Sequence, residues 1–137
     1  DVDCWSLVTN DLCRQMVQRG EATLKASCLV QRDFISIYEI CKTISFFLRK
    51  GMATTKCETY NLSSGKTITL QDLLNIITIR AEKTIGVKSK KVDCKSKKKS
   101  VSIFEISNAK IESLGVHISA DISKEIDRLL LNCSKWF

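Results

Sequence analysis

A chain of 137 residues is about one domain's worth, and with 44% hydrophobic and 27% charged residues it is composed to bury a core rather than stay disordered. No uncharged apolar run approaches the ~18–20 residues of a membrane span, the best being Thr43–Leu48. The net charge of +7 is local: residues 88–99 carry seven Lys against one Asp and no aromatic side chain, which describes a solvated loop better than a nucleic-acid surface.

Apolar spacing maps the elements in chain order. Leu7, Val8, Leu12, Met16 and Val17 recur at helical spacing over residues 6–19, and Gly20 stands at the C-cap. Ala22, Leu24, Ala26, Cys28 and Val30 alternate with polar residues, as in a strand with one buried face. Residues 32–37 read as a short strand, and Ser36 with Glu39 forms a capping box that opens a helix through Leu48. Residues 57–62 read as a strand closed by the Ser63-Ser64-Gly65 turn. Thr69 and Asp72 cap a helix from Leu70 to Ile85 that stops at Gly86. Its apolar residues exceed a single stripe, so an exposed second apolar face on this helix is expected. After the lysine loop come a strand (101–106), a short helix capped by Ser107 and stopped at Gly115, and an amphipathic helix from about Asp121 to Cys133. Strands alternating with helices argue an α/β fold. No repeat and no Pro/Gly linker divides residues 1–137, so a single unit is expected.

Catalytic chemistry is hard to find. The five glycines are never closer than fourteen residues, which excludes a Gly-x-Gly-x-x-Gly dinucleotide loop and a P-loop. The only histidine, His117, has no nucleophile elbow to serve and reads as an ordinary loop residue. Tyr38 and Lys42 form a Tyr-x-x-x-Lys on one helix face, but a match this short arises readily by chance in a lysine-rich chain. The cysteines, at 4, 13, 28, 41, 57, 94 and 133, are odd in number and include no Cys-x-x-Cys pair. Free thiols are expected, and with them a reducing cytoplasm.

An ordered set of landmarks nevertheless runs from Asn10 to Trp136. A helix ends at Gly20, and Gln31-Arg32-Asp33-Phe34-Ile35 leads into the next helix. Tyr60-Asn61-Leu62-Ser63-Ser64-Gly65 follows, then a capped helix, a basic stretch, Glu105-Ile106-Ser107-Asn108-Ala109-Lys110, Leu114-Gly115 and a final helix closing on Trp136. In order and spacing this resembles the C-terminal half of the NAD-dependent epimerase/dehydratase family, the extended short-chain dehydrogenases. The resemblance implies a Rossmann-type parent about twice as long, whose other half holds the NAD or NADP loop and the catalytic Tyr and Lys. A possible homodimer of that parent is implied too. The present chain, opening at Asp1 without Met, is expected to be a piece of it, inactive alone and without a cofactor of its own.

The same resemblance assigns nucleotide-sugar contacts position by position. Arg32 matches the arginine that reaches the substrate diphosphate, for which a planar fork is suited. Leu24 and Lys25 match the segment whose backbone edges the nucleobase. Asn10 lies near the polar position that touches phosphate. Lys95 stands where the family has a second arginine, keeping the charge without the fork. Tyr38 falls where the family has an acidic or small residue, which removes it as a catalytic candidate. Arg32 is therefore expected to face a cleft bordered by residues 22–30 and the basic loop. The alternative is a non-catalytic binding module that uses loop 88–99 on an acidic partner.

Overall fold

Helices dominate the computed structural model, which describes residues 4–50, 58–88 and 104–137. Among the described residues the order is α1 (Val8–Arg19), β1 (Gln31–Asp33), α2 (Ile37–Lys50), β2 (Thr67–Thr69), α3 (Leu70–Ile85), α4 (Ala109–Glu112) and α5 (Ser123–Trp136). The mixed α/β class therefore holds, with helices alternating with short strands; β1 and β2 pair in one two-stranded sheet. Two units emerge, one from Asp1–Arg32, Ile68–Ser102 and Ser123–Phe137, the other from Asp33–Thr67 and Ile103–Ile122. The chain crosses between them within each strand.

In the first unit α1, α3 and α5 pack pairwise. Leu12, Cys13 and Met16 from α1 meet Leu73, Leu74 and Ile77 from α3 and Ile126, Leu130 and Cys133 from α5, all at most 1% exposed. Truncating any one of these leucines, isoleucines or Met16 to alanine costs about 2–5 kcal/mol, because a close-packed core collapses only partly around the void. The exposed second apolar face expected on α3 is not found: α1 and α5 cover it, and Ile79 alone among its large apolar residues is exposed. A partly exposed ion pair ties α3 to α5: the Arg80 guanidinium grips both carboxylate oxygens of Asp127, and Thr84 Oγ1 donates to the same group at 2.8 Å. These bonds, Arg80 first, hold the Asp127 carboxyl below its ordinary range.

Helix ends follow the local signals. Gly20 takes φ +69°, which L side chains rarely adopt, and its N–H donates to Met16 O at 3.0 Å. At the start of α3 Thr69 and Asp72 complete a capping box.

The expected strand over residues 22–30 is absent, and the start of α3 explains it. First-turn amides need acceptors outside the helix; Leu70 N–H donates to Val30 O at 2.9 Å and Gln71 N–H to Cys28 O at 3.1 Å. The segment is also clamped through Thr23, whose N–H donates to Gln15 Oε1 at 2.9 Å. Its backbone serves helices, not a neighbouring strand. The strand expected at 32–37 is cut to Gln31–Asp33, because Ser36 Oγ already accepts from Glu39 N–H at 3.2 Å and opens α2.

In the second unit the described parts of the two other expected strands, 58–62 and 104–106, are irregular. A strand exists only as paired backbone, and no described strand lies beside either. A side-chain knot holds this region instead. Asn108 Nδ2 donates to Ser63 O at 2.9 Å, Asn108 Oδ1 accepts from Ser63 N–H at 3.2 Å, and Ser63 Oγ donates to Ile106 O at 3.0 Å.

The expectation of free thiols holds at Cys4, Cys13, Cys41 and Cys133 and fails at Cys28, which is disulfide-bonded. The argument for a reducing compartment is thereby withdrawn. No described helix is long and apolar enough to cross a membrane.

Burial first, and then the nearby Cys133, pushes the Cys13 thiol from about 9 up to about 12. The folded state thus keeps a proton that the unfolded chain releases, so this contribution to stability is complete below about pH 9 and is lost as pH rises toward 12. Urea unfolding of the wild type should weaken over that window, and Cys13→Ala should weaken less steeply. Equal pH slopes in the two proteins would contradict the assignment.

Candidate substrate site

The first unit carries a cleft of about 370 Å³ between α1 and the segment that follows it. Leu24 and Lys25 both line it, as does Trp5 on the turn that leads into α1. Its polar floor comes from α1. Arg14 Nη2 donates to Asp11 Oδ1 at 2.7 Å, and Gln15 Nε2 donates to Asp11 Oδ2 at 2.8 Å. The Arg14 guanidinium also lies 5.6 Å from the Trp5 ring centroid, a cation–π contact, while Trp136 and Phe137 meet Trp5 edge-on at 6.0 and 5.1 Å. The wall can therefore offer an apolar ring and fixed charge of both signs to one small ligand.

The residues singled out from the sequence divide. Leu24 and Lys25 share the cleft. Asn10 stands beside it and donates to Cys4 O at 3.1 Å, bracing the turn that carries Trp5. Arg32 is exposed on β1, outside the lining of that cleft; its Nη1 donates to Gln31 O at 2.9 Å. The expected border of Arg32 by a strand at 22–30 is thus not found, since that segment turns back to cap α3. Lys95 and most of the basic loop lie outside the described residues. Missed from the sequence were Trp5, Asp11 and Arg14; the Asp-x-x-Arg spacing on one helix face was the signal available.

Asp33, the neighbour of Arg32, belongs to the second unit. Its Oδ1 accepts from Ser64 N–H at 2.8 Å, while its buried Oδ2 has no partner among the described residues. The same unit holds a larger groove, about 650 Å³, along α2, and Tyr38, Lys42 and His117 all line it. They do not form an acid–base pair: Lys42 Nζ donates to Glu39 Oε2 at 2.9 Å and to His117 O at 3.0 Å, and the His117 ring is exposed. Nearby, Glu58 accepts from Tyr60 Oη at 2.8 Å and pairs with Lys110, which lowers the Glu58 carboxyl and raises the Tyr60 hydroxyl. No cluster of metal ligands occurs among the described residues.

No protein-family profile matches the sequence, and no curated protein is significantly similar to it. Solved structures do match in fold. RMD from Pseudomonas aeruginosa complexed with NADPH superposes over 98% of this chain with a TM-score of 0.73 at 15% identity. TunA, an NAD-dependent NDP-hexosamine 5,6-dehydratase involved in tunicamycin biosynthesis, matches over 96% with a TM-score of 0.59 at 16% identity. The chain spans only 45% and 41% of those proteins' lengths.

Arg14→Ala should cost about 1 kcal/mol, the sum of an exposed cation–π contact and a helical i,i+3 pair. It should also shift the emission of Trp5. Urea unfolding followed by tryptophan fluorescence reads both, and an unchanged spectrum would remove Arg14 from the Trp5 face.

Proposed function

We propose that this chain is the nucleotide-sugar-binding portion of an NAD(P)-dependent epimerase/dehydratase whose cofactor site and catalytic pair reside elsewhere in a longer polypeptide. The likeness in fold to a protein complexed with NADPH, over 98% of this chain but 45% of that one, carries the reading. The sequence landmarks around Arg32, Tyr60–Gly65 and Ser107–Lys110 support it. A dinucleotide pyrophosphate is bound by glycine-lined backbone amides at a helix start. The glycines here stand at 20, 51, 65, 86 and 115, so this chain's own residues do not fit that group.

Within this reading Arg32 takes the diphosphate. Its Nη1 donates to a neighbouring carbonyl, which leaves Nε and Nη2 as donors for an anion. Leu24 and Lys25 edge the nucleobase from the cleft wall, Asn10 fixes the turn beside them, and Lys95 adds charge at phosphate. NAD or NADP belongs to the parent, and the substrate is a nucleotide-sugar.

Two measurements test this. NADH titrated into the 137-residue chain should give no saturable fluorescence enhancement. In the polypeptide encoded by the complete gene, Arg32→Ala should weaken nucleotide-sugar binding by about 1.5–3 kcal/mol, the range for hydrogen bonds to charged groups. Calorimetric titration with several nucleotide-sugars measures it, and unchanged affinity would remove Arg32 from the site.

A further inference from the structure

We infer that Arg14 and Asp11 select the nucleobase, favouring one whose ring N–H lies beside a carbonyl over the amino bases adenine and cytosine. Uracil and guanine are bases of the first kind. The inference rests on the function just proposed. Both residues line the first unit's cleft, and their side chains are 30% and 17% exposed, so a ligand can reach them while the fold holds them. At about 370 Å³ the cleft is at the low end for small-ligand pockets, which suits a base with its ribose rather than a whole nucleotide-sugar.

The pair is a fixed donor beside a fixed acceptor. Arg14 Nη2 donates to Asp11 Oδ1 at 2.7 Å, and Nη1 has no hydrogen-bond partner among the described residues. Asp11 Oδ2 accepts from Gln15 Nε2 at 2.8 Å. Gln15 Oε1 accepts from Thr23 N–H at 2.9 Å, which locks the carboxylate to the facing wall. Each carboxylate oxygen has room for a second hydrogen bond. The two charges cancel, so the pair gives a phosphate no net attraction. It suits a neutral group that both gives and takes a hydrogen bond. A ring N–H is a stronger donor to a carboxylate than an exocyclic amine, and a carbonyl oxygen is a stronger acceptor from a guanidinium than a ring nitrogen. Diphosphate is left to Arg32, outside the cleft.

Arg14 is also held from the side away from Asp11. Its guanidinium lies 5.6 Å from the Trp5 ring centroid, and Trp136 and Phe137 meet Trp5 edge-on at 6.0 and 5.1 Å. Phe137 N–H donates to Cys133 O at 2.9 Å, which carries the last turn of α5 up to that ring. Trp136 is 64% exposed, too open to add much to the core. It is a positioning residue, acting on the base only through Trp5 and Arg14.

Calorimetric titration of the polypeptide encoded by the complete gene with UDP, GDP, ADP and CDP tests this, since these differ only in base. UDP and GDP should bind about tenfold tighter than ADP and CDP, the effect of one charge-assisted hydrogen bond. Arg14→Lys keeps the charge but loses the fork, and Asp11→Asn removes the carboxylate; each should bring the four affinities within about threefold of one another. Trp136→Ala should do the same and Trp136→Phe should restore the preference, whereas a merely structural role would not sort ligands by base. Equal affinities in the wild type, a preference for ADP or CDP, or a preference that survives both Arg14→Lys and Asp11→Asn overturns the inference and leaves the proposed function standing. An unchanged preference in Trp136→Ala overturns the positioning role. Arg32→Ala should weaken all four alike, and its failure to do so sinks the diphosphate assignment alone. Failure of all four to bind the wild type overturns both readings.

Discussion

Every backbone amide and carbonyl removed from water must find a partner, and the described residues meet that demand with one two-stranded sheet. The irregular segments therefore hold their shape by bonding to helix ends and to side chains. Cys28 and Val30 give their carbonyls to the first turn of α3, Gln15 grips Thr23, and Asn108 takes both the amide and the carbonyl of Ser63. Each bond adds only ~0.5–1.5 kcal/mol when made, but a buried group left unpaired costs about 1–3 kcal/mol, so the asymmetry fixes the path of the loops. The cleft wall at Leu24 and Lys25 is placed by these bonds and not by a strand ladder.

That distinction decides what could be read from sequence. Helices are local objects: apolar period, capping pair and stop glycine lie within one segment. The Leu70–Ile85 helix was accordingly legible to its last residue, with Thr69, Asp72 and Gly86 in their expected roles. A strand is a relation between two segments. The alternation in residues 22–30 described burial correctly at Ala22 and Cys28 but could not say whether a neighbour strand existed. For residues 58–62 and 104–106 none is described, and the same residues that look like strands are held by a serine–asparagine knot. The cleft suffered likewise: Leu24 and Lys25, singled out by resemblance, do line it, whereas Trp5 and Arg14 meet there only once α1 brings them together with that segment.

Helices α2 and α3 show why an excess of apolar residues has two different meanings. Both carry more than one stripe. In α3 the surplus meets α1 on one side and α5 on another, so Leu70, Leu73, Leu74, Ile77 and Ala81 are all buried. In α2 Ser36 and Glu39 begin the helix and Thr43 turns inward, where its hydroxyl donates to Glu39 O at 2.8 Å. The buried side of α2 is thus partly polar, Ile40, Phe46 and Phe47 are half-buried, and Ile37, Ile44 and Leu48 lie on the outside. Those three side chains gain little from their own unit, since burying a leucine or isoleucine is worth about 1.5–3 kcal/mol only when it leaves water.

The two concave surfaces differ in the same sense, one lined by fixed polar contacts and the other beside an aliphatic row. A small anionic ligand is ordered by few fixed donors and one ring, because charged hydrogen bonds are directional and an apolar wall orients without binding water. Around the first unit's cleft Arg14 is immobilised against Trp5 and Asp11, and Lys25 adds an ammonium at the rim. A polypeptide surface is recognised instead by area, and repeated aliphatic side chains along a helix supply it with little geometric demand. The second unit's groove adjoins such a row, its one pre-set polar contact being Lys42 between Glu39 and His117. Fixed polar contacts and an exposed aliphatic row therefore lie in different units.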